Sequence, residues 1–526
     1  MYTTMDFPIL DLPNELIAHI IEFVDSISDL RHIACTCRRI QQLAEPALYR
    51  HVLLRGAAKT HRILSALQAR PARAATLHIL DVPCDPDLRQ DIPALAVLMT
   101  AAKNIRQLMV ESPSCNSGTV AEFEQEDVWG PMMDQLFLPF QRAVSGDELA
   151  ARPLQRLTKL TLHLNGPQSP YWTPDARSLP IFLHPTLNDL KISCVNIPGD
   201  LFNEVAERSI TPLKHLVLEE CNISANGLHG LLGLPKALET LYLGNMPHQL
   251  ETGIMCSRYI GENCHNALHF DAEIPMAYNQ LFRADAVTAL AALSQQQHSL
   301  KALTYTTLSP TVDDRIHFPL DHFLNRPVTT GGNVDGGFNS FHQLERIALV
   351  GQCPQFERAV MSVRSPPNLK ELGFQADIPF PPQLNIESDY WSSLHMNAAG
   401  VLSLLPFFSA PSACVSPKLE NFHIICEHSF YQVVLLPEWM QQSLRGVAKA
   451  VWQLNNRNAV LNVSSVRTGR YYPPFLYGEP VPEAELMYDG GTDRFVEKYI
   501  LKTLTGEDED SSDWEYSEDE GYEGPT

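Results

Sequence analysis

Long apolar runs are missing from this chain of 526 residues. The densest stretch, VLSLLPFF at 401–408, is interrupted by Pro406 and falls far short of the ~20 residues a membrane-spanning helix needs. The opening MYTTMDFPIL has no basic start followed by an apolar core, so no secretory leader is expected. Positive charge is scarce. The 39 Lys and Arg stand against 61 Asp and Glu, a net charge of −22, and binding to a nucleic-acid backbone needs the opposite balance. The 11 cysteines are odd in number and scattered, which excludes a regular disulfide framework and predicts free thiols in a reducing compartment. The expected location is intracellular, cytoplasm and/or nucleus. On that reading the glycosylation-type triplets at Asn222 and Asn462 are chance matches.

Signatures of catalysis are missing as well. There is no G-x-S-x-G elbow and no H-E-x-x-H pair. Cys256, Cys264, His265 and His269 come nearest to a metal set, but their cysteines lack the C-x(2–4)-C spacing of a structural zinc half-site. The glycines from Gly331 to Gly337 lack the Lys and Ser/Thr of a phosphate loop and read as linker. No catalytic residue, metal or cofactor is expected.

What is present begins at Leu12. Pro13 stands where a first helical position can do without an N–H, and Glu15 favours the positive end of the helix dipole. Leu16, Ile17, Ile20, Phe23 and Val24 recur at helical spacing. Ser28 or Asp29 is placed to cap a second helix carrying Leu30, Ile33, Ala34 and Cys37. A third helix through Ile40 and Leu43 is expected to end near Pro46. So small a bundle cannot hide all these side chains within itself, which points to a partner.

Leu12-Pro13, Glu15-Leu16, Ile20, Asp29-Leu30, Cys37-Arg38-Arg39, Leu43 and the closing run Pro46 to Arg50 together resemble an F-box of the style common in fungal proteins. Ile40 departs from the Trp or Phe usual there, and Cys35 and Cys37 from the usual Val or Ser types. The resemblance implies binding to the Skp adaptor and, through it, a cullin, as part of an SCF-type ubiquitin ligase. It also implies that the chain is a non-catalytic subunit. The residues expected to form or support the adaptor-binding face are Leu12, Pro13, Leu16, Ile17, Ile20, Leu30, Ile33 and Ile40.

The middle of the chain repeats L-x-x-L-x-L. Copies start at 157, 187, 213 and 238, giving steps of 30, 26 and 25 residues, and later ones start at 300, 344, 369 and 419. Weaker starts lie at Ala74, with Leu77 and Ile79, and at Ile105, with Leu108 and Val110. This pattern resembles a degenerate leucine-rich repeat array, in which each L-x-L is a short strand with its leucines inward. Alternation then turns His163, Lys191, Glu219, Tyr242, Gln375 and His423 outward as candidate contacts for a protein substrate. Residues 111–150, 246–285, 310–340 and 375–415, rich in Pro and Gly, read as insertions or loops.

From Glu507 to Thr526 the chain carries ten acidic residues and no Lys or Arg, a composition expected to stay disordered. Ser512 and Ser517, each followed by acids, suit an acid-directed kinase. The fold class expected is α/β: an all-α F-box at 8–54, a linker helix over 55–73, an irregular leucine-rich-repeat solenoid at 74–500 and an acidic tail at 501–526. The alternative function for the same residues is a repeat scaffold that acts outside ubiquitination.

Overall fold

Alternating apolar residues bury one side of a strand and expose the other, and twelve parallel strands follow one another in chain order among the described residues. The computed structural model describes residues 9–83, 92–112, 126–145, 152–166, 171–205, 209–244, 286–306, 337–350, 360, 365–376, 416–429, 436, 438–454, 459–468, 476–479, 481 and 483–499. Within them a helical N-terminal bundle leads into one large sheet, a mixed α/β content. No helix among the described residues is long and apolar enough to cross a membrane.

The bundle consists of α1 (Asn14–Glu22), α2 (Ile27–Ala34) and α3 (Arg38–Leu48) around Ile17, Ile21, Leu30, Ile40 and Ala44. Pro13 caps α1 instead of opening it, and the cap of α2 is Ser26, whose hydroxyl accepts from Asp29 N at 3.2 Å, not Ser28 or Asp29. Pro46 does not end α3. It costs the helix one N–H near its last turn, and Tyr49 N donating to Glu45 O at 3.0 Å carries the helical pattern past it.

The sheet begins sooner than expected, at β1 (His51–Leu53), directly after α3. Then follow β2 (Ile79–Val82), β3 (Gln107–Glu111), β4 (Lys159–His163), β5 (Asp189–Ile197), β6 (His215–Ile223) and β7 (Thr240–Leu243). The series continues with β8 (Ala302–Thr306), β9 (Arg346–Val350), β10 (Glu371–Ala376), β11 (Asn421–Ser429) and β12 (Val460–Thr468). Each strand pairs in parallel with the next in chain order, and antiparallel β13 (Ala484–Asp489) and β14 (Arg494–Phe495) finish the far edge. The sheet is open, with β1 and β14 at its two edges.

Register explains the repeat. Leu108, Leu160, Leu190, Leu216 and Leu241 are successive Cα partners, each at most 2 % exposed. Phe422 continues the row on β11, where its ring lies 5.4 Å from Phe374. In the earliest copy the inward residues are Leu80 and Val82 behind Leu77, so that unit starts at 77 and Ile79 faces the other way. The helices between strands are α4 (Ala57–Ala69), α5 (Pro71–Thr76), α6 (Ile92–Ala101), α7 (Glu126–Ser145), α8 (Leu179–Phe182), α9 (Ala225–Leu232), α10 (Ala286–Ser294) and α11 (Glu438–Leu454).

Three of these helices correct the sequence reading. The stretch 111–150, taken as an insertion or loop, contains α7, whose Trp129, Met133, Leu136, Phe137 and Phe140 are buried in the main core despite Pro131 and Pro139. The expected bridge over 55–73 is a helix pair, α4 and α5, with Leu67 and Ala74 in that same core. The other predicted insertions lie, in whole or large part, outside the described residues. So do Cys256, Cys264, His265, His269, Ser512, Ser517 and the acidic tail.

Candidate functional site

The bundle presents apolar side chains that it does not use. Leu16, Ile20 and Phe23 follow one another at i, i+4 and i+7 along α1 and share a face. Phe23 is 72 % exposed, Leu16 51 % and Ile20 44 %. Ile9, Leu10 and Ile27 are exposed beside them in sequence. Of the expected adaptor residues, Leu16, Ile20 and Pro13 are exposed and Leu12 and Ile33 half-buried, whereas Ile17, Leu30 and Ile40 are interior. These last three support a face and do not form it. Sequence reasoning left out Ile9, Leu10 and Ile27, which stand outside the helical stripe it followed, and Phe23, which it placed in the stripe but not in the adaptor set.

Arg39 explains why the segment before α1 is held. Its Nε donates to Asn14 Oδ1 at 2.9 Å, its second terminal nitrogen to Leu12 O at 2.7 Å, and its first to Leu10 O. One guanidinium thus ties residues 10–14 to the start of α3, using the planar fork that a lysine lacks.

Glu45 fastens the bundle to the sheet. Its Oε1 accepts from Arg70 at 2.8 Å, Arg73 at 2.6 Å and Gln41 at 2.9 Å. The Arg73 bond, foremost, holds the Glu45 carboxyl below the usual carboxylate range. Arg73 also lies 5.0 Å from the Tyr49 ring centroid.

On the sheet, the residues between the inward leucines form rows across the strands. Thr161, Lys191, Val217, Tyr242 and Thr304 are successive partners, all half-buried. Lys191 Nζ lies 2.8 Å from Glu219 Oε2. His423, half-buried on the same row further along, shares a hydrogen bond of 2.9 Å with Ser464 Oγ, and burial holds its imidazole below the ordinary range. Burial pushes the Tyr242 hydroxyl up to about 12, so the phenol stays protonated. Gln375 is set in β10 between Val350 and Ile425 by register.

His163 is the exception among the outward set. Only 3 % of it is exposed, because the next row, Glu111, His163 and Ser193, is covered rather than open. Trp129 Nε1 from α7 donates to Asn165 O at 3.0 Å, and Tyr477 N donates to Glu111 Oε1 at 2.7 Å. The order of an acid, an imidazole and a hydroxyl here presents no nucleophile. Ser193 is buried and its hydroxyl donates to Glu219 Oε2 at 3.1 Å.

Further along, Cys194 and Glu220 adopt left-handed backbone at φ 54° and 46°, at the same place in β5 and β6. Such φ values cost a non-glycine residue energy. The strands resume pairing beyond them, and Asn222 Nδ2 donates to Asn196 Oδ1 at 2.8 Å. Cys221 donates to Gly244 O at 3.0 Å, and burial pushes its thiol up to about 12, which keeps it unreactive. Among the described residues no three of His, Cys, Asp and Glu are grouped to hold a metal ion.

Residues 9–55 match a family model described as F-box-like. The N-terminal bundle is an F-box-like domain. Domains of this kind bind the Skp adaptor of SCF-type ubiquitin ligases, and the exposed face of α1 belongs to the matched segment. The match ends two residues beyond β1, so the rest of the sheet lies outside it. No curated protein matches the chain.

Proposed function

We propose that the chain is the substrate-recognition subunit of an SCF-type ubiquitin ligase. In this reading the F-box-like domain holds the Skp adaptor, and through it a cullin, while the sheet binds a protein substrate. The observation that carries it is the exposed row Leu16, Ile20 and Phe23 inside the F-box-like match. An apolar face of this kind on a small bundle is the mark of a protein interface. Leu12, Pro13 and Ile33 border or support the face, and Ile17, Leu30 and Ile40 fix its backbone from within.

The sheet is read as an irregular leucine-rich-repeat solenoid. Support comes from the unbroken chain-order pairing of twelve parallel strands and from the in-register leucines. Lys191, Glu219, Tyr242, Gln375 and His423 are the proposed substrate contacts, and His163 is withdrawn from that set because it is buried. The subunit itself transfers no ubiquitin.

Co-expression with a Skp adaptor followed by size-exclusion chromatography tests the central claim. A one-to-one complex is expected, lost on Leu16→Asp with Phe23→Asp and weakened by Leu12→Ala with Pro13→Ala. A folded chain that elutes alone sinks the reading, and a thiol-linked ubiquitin on any cysteine refutes its non-catalytic part. Point changes are preferable to deleting residues 1–50, since Arg50 O accepts from His78 N and Ile79 N at 2.9 and 3.0 Å and belongs to the sheet.

A further inference from the structure

The hydrogen bonds that open each strand align one residue per strand along a single edge of the sheet. His78 N donates to Arg50 O, Arg106 N to His78 O, Thr158 N to Arg106 O, Asn188 N to Thr158 O and Lys214 N to Asn188 O. The same chain of bonds runs on through Glu239, Lys301, Glu345, Lys370 and Glu420. From Lys214 onward the edge alternates in sign. Lys214 and Lys301 lie 3.4 and 2.6 Å from Glu239, and Lys370 lies 3.0 Å from Glu345.

Before Lys214 the edge is different. Arg50, His78 and Arg106 succeed one another with no carboxylate between them, and Lys159 and Arg156 stand beside Thr158. Arg50, Arg106, Arg156 and Lys159 are all exposed, and none forms an ion pair among the described residues. Asp81, further along β2, is taken by His51 at 2.7 Å. Burial, and then the charges of Arg106, Arg50 and Arg156, hold His78 below the ordinary imidazole range. Neighbouring strands are ~4.8 Å apart, so Arg106 stands within the ~8–10 Å Debye length of the cations beside Thr158, and Arg50, two strands from Arg106, at about that length. Half of the edge neutralises itself; on this half the carboxylate in register with the cations is Asp189, opposite Lys159 and 3.9 Å from His215.

The chain holds a negative partner for these cations. Its segment from Glu507 to Glu523 has ten carboxylates and no Lys or Arg. Tyr477 N bonds Glu111 at 2.7 Å and the Arg55 guanidinium lies 5.9 Å from the Tyr477 ring, so residue 477 lies against the first strands before the chain passes through β13 and β14 to Tyr499. Only residues 500–506 separate Tyr499, the last described residue, from Glu507. A stretch of n residues spans at most ~3.3–3.6 Å × n, and a tethered partner is presented at an effective concentration of order millimolar.

We propose that the acidic segment Glu507–Glu523 docks in cis on the basic strand-start edge made by Arg50, His78, Arg106, Arg156 and Lys159. Docked there, it competes with any acidic partner for that edge. Phosphorylation at Ser512 or Ser517 adds roughly −1.5 to −2 charges each and tightens the contact. The contact does not use the exposed face of Leu16, Ile20 and Phe23.

The test uses a labelled peptide of residues 507–526 and fluorescence anisotropy at low salt. The peptide should bind a chain ending at residue 506, bind the full-length chain about ten-fold more weakly because the edge is already occupied, and lose affinity steeply as salt rises. Arg106→Gln with Arg156→Gln, in a chain whose circular dichroism and Tm are unchanged, should cost about ten-fold in peptide affinity. Failure of the peptide to bind the shortened chain overturns the proposal, as does equal binding to the substituted chain or to the full-length one. A second readout needs no substitution. Carbodiimide cross-linking of the full chain should join Lys159 to carboxylates within 507–523, and links to other lysines alone would contradict the docking site.

Discussion

The F-box-like bundle and the sheet treat apolar surface in opposite ways. Among the described residues, six of the fourteen exposed large apolar side chains lie between Ile9 and Ile27, while the strand leucines from Leu108 to Leu461 are at most 2 % exposed. The sheet is stabilised by what it buries, each strand completing the core of the one before. The bundle leaves part of its burial to be completed by something else. An apolar substitution should therefore act on stability in one region and on binding in the other.

The sharpest contrast is between Leu216 and Leu16. Leu216→Ala, fully buried in the central row, should destabilise the chain by about 2–5 kcal/mol, read from the urea midpoint. Leu16→Ala should leave that midpoint within about 0.5 kcal/mol and reduce adaptor capture. Equal loss of stability at both positions would abolish the distinction.

Acid should reach the sheet through His184. It is buried beside Phe140, at 6.4 Å between ring centroids, its Nε2 has no hydrogen-bond partner among the described residues, and burial brings its pKa down to about 4. A folded-state value below the unfolded one means the stability is complete above pH ~6.5 and is lost as pH falls toward about 4. The full span corresponds to roughly 3 kcal/mol. His184→Phe should flatten the stability profile across that window, and an unchanged slope would assign it to other groups.

The joint between the regions comes next. Glu45→Gln should cost about 1.5–3 kcal/mol, because two arginines lose a charged acceptor in a partly buried place. Since the native carboxyl is held below its usual range, the wild-type joint should weaken as pH falls through the folded value, and the Gln variant should not share that loss. Native-state hydrogen exchange in α3 and α5 would report it. Smallest of all is the alternating edge. Lys301→Ala removes an exposed ion pair with Glu239 and should change stability by less than about 1 kcal/mol, an effect erased by molar salt.

Much of this contrast was legible in the sequence, for a simple reason. Period-two leucines and helical stripes are direct imprints of burial, so ten of the parallel strands and the bundle could be read from them. β1 hid in the last residues of the F-box resemblance, with Val52 the buried member of its three. β12 hid because Asn462, Ser464 and Ser465 replace the leucine signal around Leu461 and Val463. α7 was masked by Gly130, Pro131 and Pro139, which count as breakers locally but are outweighed by its buried apolar anchors, Trp129 and Phe137 among them. His163 was placed on the correct side of its strand. Its cover comes from residues far off in sequence, which alternation cannot reveal. The left-handed Cys194 and Glu220 left no signal at all, being non-glycine residues in an otherwise regular pattern.

The bond from Tyr477 N to Glu111 has one more consequence. In an array where each unit leans on its neighbours, the two ends fray independently and unfolding can start at either. A tie between residues 366 apart makes the first strands and the last strands lose a contact in the same event. Fraying at one end is then felt at the other, and the tie closes only once the strands between have paired. It should be the last contact made in folding, and its breakage the step that frees both ends together.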